Sequence, residues 1–253
     1  MFSCEHNISV KIAENSAEVL AAQRLRYDVF VKELGSDGPY VDHSNKLERD
    51  QFDDYSDHLI AIDKQSGSVV GAYRLLRQCN AEQLGQFYSE TEYDISLLKQ
   101  SDHKLLELGR SCLHRDHRGG LVMRELWIGI AEFAFQHKDT LLFGVASFGG
   151  NNINCFGHSL SYLHHNYLAK DELRPKARSP MAVSMNLIPK EKLNRKKALI
   201  QMPSLIKAYL RLGGTVGDGA YVDTAFNTID ICFILDTSQL NSKKKHIYTR
   251  ASQ

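Results

Sequence analysis

The chain predicts an α/β protein with a mixed central sheet and helices on both faces. Two observations carry that class. In the front half, apolar runs 58–63 and 69–76 flank Lys64-Gln65-Ser66-Gly67-Ser68, a turn with Gly at its tight point, so they pair as a hairpin. In the rear half, helical and strand patterns alternate, an order that places helices across a sheet. The elements follow in sequence. Ile8, Val10 and Ile12 alternate as a short strand. Ser16 then suits a helix cap, and Val19, Leu20, Leu25, Val29 and Phe30 recur at helical spacing up to Leu34, where Gly35 ends the run. After the hairpin comes a variable loop, then a strand over 105–113 and a helix over 123–137 behind Gly119-Gly120. The apolar run 141–147 reads as a strand buried on both faces. A helix over 155–168 and a strand over 181–187 come next. Pro203 opens a helix ending near Leu212, with Gly213 free to cap it in the left-handed conformation. The run 229–235 closes the fold as a last strand.

Composition bounds the function. At 253 residues, 43% hydrophobic and 24% charged, the chain is long enough for a substantial core. No run of 18 apolar residues offers a spanning helix, and the start MFSCEHNISVKIAE lacks the basic and apolar regions of a signal peptide. Five cysteines with no CxxC spacing argue against a disulfide framework or zinc ribbon and fit a reducing cytoplasm. No repeat or linker divides the chain, so 1–238 reads as one domain, with a C-terminal extension from about 170 and a basic tail over 239–253. Lys plus Arg total 31 against 30 Asp plus Glu, a balance that excludes nucleic acid as the main partner. The balance is a cancellation. Residues 37–57 carry seven acids and two bases, whereas 170–197 carry nine bases and three acids. Each patch reads either as an unevenly charged solvated face or as a functional surface. In the functional reading the acidic segment rims a site for a cationic substrate, and the basic one meets an acidic protein or an anionic membrane.

Several fragments in order resemble the GNAT acyltransferase superfamily, and more narrowly the bacterial N-acyltransferases of ornithine-lipid synthesis, relatives of acyl-homoserine-lactone synthases. They are Gln23-Arg24-Leu25-Arg26-Tyr27-Asp28-Val29-Phe30, Asp50-Gln51-Phe52-Asp53, Asp57-His58-Leu59, Gly71-Ala72-Tyr73-Arg74-Leu75-Leu76 and Leu106-Glu107-Leu108-Gly109-Arg110-Ser111-Cys112. Leu142-Phe143-Gly144-Val145-Ala146-Ser147-Phe148, Tyr209-Leu210-Arg211 and the stretch 218–230 complete the set. The resemblance implies a GNAT-like fold without a bound cofactor or metal. It also implies transfer of a fatty acyl group, 3-hydroxyacyl by expectation, from a thioester to the α-amine of ornithine or a similar amino acid, giving a lyso-aminolipid.

Such chemistry needs a held carbonyl, a neutral amine and donors for an oxyanion. In GNAT folds the strand before the phosphate-binding helix splays from its neighbour and frees backbone N–H groups. Here that strand is 105–113, so Leu108, Gly109 and Cys112 are expected along the acyl donor. Gly109 is the expected place for a bulge, which would bring Glu107 and Arg110 onto one face. Arg115-Asp116-His117-Arg118-Gly119-Gly120-Leu121 then enters a helix whose N-terminus suits an anion, making Arg118, Gly119 and Gly120 donor-binding candidates. No register places both glycines in the usual superfamily pattern. That departure disfavours acyl-coenzyme A and favours an acyl carrier protein, an acidic partner for Arg115, Arg118, Arg124 and the basic rear.

Glu107 is the candidate to bind the amine or relay its proton, with Arg110 beside it; the alternative is an ion pair of Glu107 with Arg110 or Arg74. Arg26, Asp50, Asp53, Arg74 and Arg110 match the charged set of the homoserine-lactone synthases. They either hold the acceptor's carboxylate and amine or order the loop 35–57. Tyr162 or Tyr167 stands where superfamily members carry a thiolate-protonating tyrosine, with packing as the alternative role. Phe133, Phe143, Phe148 and Trp127 read as core. Rival chemistries are thiol catalysis by Cys112 with His114 or Cys155 with His158, and metal binding by His114 and His117 or His164 and His165; in each the structural role is favoured. An autoinducer synthase and a non-catalytic acyl-carrier or lipid-binding module are the rival functions. Phe30 and Tyr40 offer the first of these little of the aromatic cage its acceptor needs. The expected location is cytoplasmic, with peripheral contact to the inner membrane.

Overall fold

The computed structural model describes residues 7–38 and 41–239. Tyr40, Cys4 and the basic tail from 240 lie outside the described residues. The front hairpin and the rear alternation assemble into one nine-stranded sheet. In chain order its elements are β1 (Ile8–Ile12), α1 (Ser16–Arg26), β2 (Asp57–Asp63), β3 (Val69–Arg77), β4 (Leu105–Leu113), α2 (Leu121–His137), β5 (Leu141–Gly149), α3 (Gly157–Tyr167), β6 (Ala182–Val183), α4 (Ser204–Leu212), β7 (Ala220–Asp223) and β8 (Thr228–Asp236). The sheet order is β1-β2-β3-β4-β5-β8-β7-β6, with Thr215–Val216 also pairing β8. Neighbours run antiparallel except β4 and β5, which are parallel.

Strand alternation sorts side chains to two faces. On the first, Leu59, Ala61, Tyr73, Leu75 and Leu106 pack against Leu126, Trp127, Ile130 and Phe133 of α2 and Ile206 and Tyr209 of α4. On the second, Leu76, Leu105, Phe143, Cys232 and Ile234 pack against Phe52, Phe87, Tyr88 and Tyr93, while Ala22, Leu25 and Val29 cover Ile60 and Ala72. Helices therefore lie on both faces. Phe133, Phe143, Phe148 and Trp127 are all buried, as their composition predicts.

Four local differences from the pattern reading have physical causes. The cap of α1 is Asn15, whose side chain accepts from Glu18 N–H, so Ser16 is the first helical residue instead. The same run does not stay α-helical: Tyr27–Glu33 continues as a π-helix, with Leu34 N–H bonding the Val29 carbonyl five residues back. Over 181–187 only Ala182 and Val183 pair as a strand, with β7. Leu187 and Ile188 instead donate to the Ser161 hydroxyl of α3, which takes their N–H groups out of reach of a ladder. Finally, the loop after the hairpin is structured. It holds the short helices Gln78–Leu84 and Ser96–Gln100 around the 3-10 turn Tyr88–Thr91, held in place by buried Phe87, Tyr88 and Tyr93.

Candidate active site

The charged set predicted from sequence meets on the second face. Arg26 projects from α1, Glu48, Asp50 and Asp53 from the segment between β1 and β2, Arg74 from β3 and Arg110 from β4. Arg26 Nη1 donates to both oxygens of Asp53 at 2.8 and 3.0 Å, and its Nε donates to Glu48. Arg74 Nη1 donates to Asp50 and, at 3.0 Å, to Asp53. Arg110 completes the ring, with Nε 3.0 Å from Glu48 and Nη2 2.9 Å from Asp50. Three guanidiniums thus neutralise three carboxylates, all nearly buried. Burial alone would raise Asp53, but Arg26 and Arg74 hold its carboxyl far below the usual range. Asp50 is likewise held down against burial by Arg74 and Arg110. Arg26, Asp50, Asp53 and Arg74 are therefore paired with one another, and they tie α1 and the acidic segment to the sheet.

Arg110 and Glu107 converge on one turn. Between Ala72 opposite Cys112 and Arg74 opposite Gly109 the register shifts, inserting one extra residue into β4. The bulge exists, but its strained residue is Arg110, at φ +52, and not Gly109. The network explains the placement. Bonds from Glu48 and Asp50 hold the Arg110 side chain, and Tyr88 and Phe226 rings lie 4.5 and 4.9 Å from its guanidinium carbon. Gly109 instead leaves room for Arg74, whose Nε lies 3.8 Å from where a Cβ would stand. Glu107 forms neither alternative ion pair. Its carboxylate accepts from Tyr88 N–H at 2.9 Å and Ser89 N–H at 2.6 Å, capping the 3-10 turn. Burial raises its pKa against those bonds and the attraction of Arg74.

Glu107 also marks where the sheet divides. Leu105, Leu106 and Glu107 pair with Leu141, Leu142 and Phe143, and the β4–β5 ladder stops there. Gly144 makes the fork possible, because a Cβ at that position would lie 2.2 Å from the Leu108 carbonyl oxygen. At the far end of β4 lies a cleft of about 920 Å³. Ser111, Cys112 and Leu113 form one wall, Met123, Trp127 and Ile128 of α2 another, and Leu205, Ala208 and Leu212 of α4 close it. Gly119, Gly120, Arg118 and Arg124 line it where α2 begins. Gly120 caps α2 with no side-chain bond, so the first turn's N–H groups face outward. Arg118 is tied to Glu33 and to the Leu113 carbonyl, fastening the π-helical end of α1 to this rim. Of the predicted donor residues, Cys112, Arg118, Gly119 and Gly120 line the cleft. The Leu108 side chain lies in the first-face core, and Gly109 sits under Arg74.

The rival chemistries find less support. Cys112 packs among Ala22, Leu25 and Ala72, and burial pushes its thiol up to about 12. His158 Nδ1 bonds the Asn194 N–H, and His165 Nε2 lies 2.9 Å from the Ile188 carbonyl, contacts within the fold. Tyr162 is buried against Tyr167, their rings 5.7 Å apart.

A GNAT acetyltransferase domain model matches residues 25–128, from the end of α1 to the middle of α2. Over 246 residues the chain is 49% identical to an L-ornithine N(alpha)-acyltransferase of Rhodobacter capsulatus, covering 95% of this chain and 94% of that one. A Brucella abortus L-ornithine N(alpha)-acyltransferase is 38% identical over 94% of this chain and 87% of its own. The chain belongs to the L-ornithine N(alpha)-acyltransferase family. Among solved structures this N-acyltransferase shares its fold with the acyl-homoserine-lactone synthase BjaI, at TM-score 0.55 and 14% identity over 96% of this chain and 88% of that one. The N-acyl amino acid synthase FeeM from uncultured soil microbes matches at TM-score 0.53 and 10% identity over 92% and 91%. Near Glu107 the fold gathers residues that pattern reading passed over: Tyr88, Ser89 and Glu92 of the structured loop, and Asp223 and Asp230 of the last hairpin. The carboxylates of Glu92, Asp223 and Asp230 lie within 4.8 Å of one another. The acids and aromatics clustered over 87–94 are the sequence signal in the loop, and periodicity does not detect a 3-10 turn.

Proposed function

We propose that this N-acyltransferase moves a 3-hydroxyacyl group from the thioester of an acyl carrier protein to the α-amine of ornithine, releasing a lyso-aminolipid. The observation that carries the reading is the apolar cleft between the far end of β4, α2 and α4, which is lined at one side by the free N-terminus of α2. Its volume and lining suit a pantetheine arm and acyl chain, and its rim carries Arg118 and Arg124 for a phosphate and an acidic carrier. The N–H groups freed where β4 leaves β5 are the expected donors to the thioester oxygen. The acceptor amine attacks the carbonyl, the C–N bond forms, and the C–S bond breaks to leave the carrier's thiolate, which takes up the proton the amine loses. In this reading Glu107 passes that proton on, a role supported by its position at the end of the β4–β5 ladder and by burial, which raises its carboxyl towards the working range of a base. Arg110 holds the turn that positions Glu107. Direct transfer within a ternary complex gains its rate from orientation and needs no acyl-enzyme.

Among the described residues no helix is long and apolar enough to cross a membrane. Exposed Arg195, Lys196 and Lys197 with Ile200 beside them suit peripheral contact with an anionic bilayer on the cytoplasmic side, where an amphiphilic product would be delivered. The test is direct: purified protein, 3-hydroxyacyl carrier protein and ornithine, with mass spectrometry of the extract. N-acyl-ornithine is the expected product. No acylated amino acid from any donor would overturn the reading, and turnover with acyl-coenzyme A but not with the carrier would overturn the donor assignment.

A further inference from the structure

The turn that caps Glu107 also presents a second carboxylate. Tyr88 and Ser89 donate to Glu107 at its start, and at its end the Glu92 N–H bonds the Ser89 carbonyl. Glu92 is 3% exposed, and so is Asp230, which stands on the same sheet face across the fork. Among the described residues, Tyr88 stands beside Glu92, and Ser147 and Thr228 beside Asp230, yet neither oxygen of Glu92 nor Oδ1 of Asp230 completes a well-directed hydrogen bond. Asp223 is the third member. One of its oxygens accepts from Ala225 and Phe226 N–H, and it is half-buried, so it connects the cluster to solvent. None of the three has a salt bridge among the described residues. The nearest guanidinium, Arg110, is committed to Glu48 and Asp50.

Three carboxylates without a counter-charge in a water-poor site call for a cation. The placement says which kind. From Ser89 to Glu92 is three residues of a 3-10 turn, about 6 Å at about 2 Å per residue. The α- and side-chain nitrogens of ornithine are five single bonds of about 1.5 Å apart, a similar reach of about 6 Å. We propose that Glu92, Asp223 and Asp230 form the subsite for the side-chain ammonium of a diamino-acid acceptor whose α-amine lies at Glu107. This rests on the proposed function and adds the residues that select the acceptor. An ammonium brings three N–H donors, enough to use the free oxygens of Glu92 and Asp230 and the open side of Asp223. The burial of the pair makes the discrimination steep, since an acceptor without the side-chain amine leaves the acids unpaired.

The experiment compares ornithine with norvaline, which has the same five-carbon skeleton and no terminal amine. Wild type is expected to prefer ornithine in kcat/KM. Glu92→Gln and Asp230→Asn should each lower kcat/KM for ornithine by about 10- to 100-fold, chiefly through KM. Norvaline turnover should stay unchanged in both variants. Equal losses for both acceptors, or an ornithine preference that survives in the variants, would overturn the subsite. Wild type that acylates ornithine and norvaline equally would also overturn it, whereas wild type that acylates neither overturns the proposed function itself. Melting temperature separates folding from recognition. The variants should melt at or above the wild-type temperature, and the rise that saturating ornithine gives wild type should be lost. Activity abolished by a chelator and restored by magnesium or calcium in wild type but not in Glu92→Gln would assign the cluster to a metal ion instead.

Discussion

Two carboxylate clusters lie on the same sheet face, joined by Arg110 and Tyr88, and they are built on opposite principles. In the first, Glu48, Asp50 and Asp53 meet Arg26, Arg74 and Arg110 in a closed ring of charge-assisted bonds. In the second, Glu92, Asp223 and Asp230 meet each other. Their titration runs in opposite directions. Arginines hold Asp50 and Asp53 down, while burial, with Asp223 beside it, raises Asp230 to about 6, and burial with Asp230 and Asp223 raises Glu92. A charge-balanced ring stabilises the fold, although Arg26 Nη2 and Arg74 Nη2 are buried without a partner among the described residues. A cluster of acids without a basic partner leaves affinity for a charge the chain does not supply.

The largest expected effect breaks the first ring. Arg26→Ala leaves Glu48 and Asp53 buried without their partner, a loss of about 3–5 kcal/mol. For a chain of this size that lowers the melting temperature by about 10 °C. A drop within 2–3 °C, about the effect of 1 kcal/mol, would show that the ring is not structural.

The second test concerns the residue between the clusters. Glu107→Gln keeps one acceptor for the Tyr88–Ser89 turn but cannot take a proton, so kcat should fall by about 100-fold with ornithine and norvaline alike. A change confined to KM would remove Glu107 from proton transfer and leave it as the cap of the turn.

The pH dependence sharpens the contrast. A carboxyl whose folded pKa is depressed stabilises the protein above its unfolded pKa, so the contribution of Asp53 is present above about pH 4 and lost on acidification. Asp230 has the opposite sign. Its folded pKa is raised, so unliganded stability falls as pH rises from about 4 towards about 6. The groups facing it are Glu92, Asp223, Ser147 and Thr228, with Tyr88 and Arg110 behind Glu92. Ornithine needs the ionised form, so its KM should rise as pH falls below about 6 and the rise should be weaker in Asp230→Asn. An unchanged profile in that variant would place the titration elsewhere.

Glu92→Gln, by removing one repulsive charge, should leave stability unchanged or raise it by about 1 kcal/mol in urea unfolding. Loss on the scale of Arg26→Ala would erase the difference between the clusters. The smallest effect belongs to the exposed pair Arg118–Glu33, where Glu33→Gln should cost no more than about 1 kcal/mol. The same change should leave acceptor KM untouched, since the pair sits on the donor side of the fork.

How much of this was legible before folding depends on the kind of information. Turn chemistry and capping are local, so the hairpin around Gly67, the helix end at Gly213 and the strands at 105–113 and 141–147 follow from composition and spacing. The paired charges were legible as a motif, because Arg26, Asp50, Asp53, Arg74 and Arg110 match a known family pattern. That spacing left two roles open for the first four, and only their mutual distances show the closed ring. The bulge was expected one residue early, because glycine's conformational freedom is a local argument, whereas the bonds that hold Arg110 at positive φ come from Glu48 and Asp50, about 60 residues away.

The chain by itself determined the class of sheet, the order of its elements and the family to which it belongs, since each of these is written in nearest-neighbour patterns of apolar, turn-forming and charged residues. Tertiary structure alone decided where the sheet forks, which acids are matched by arginine and which are not. Glu92 and Asp230 come from a loop without periodicity and from the last strand of the sheet. Nothing in either segment announces the other, and they become neighbours only because β8 pairs along β5 while the capped turn folds over β4.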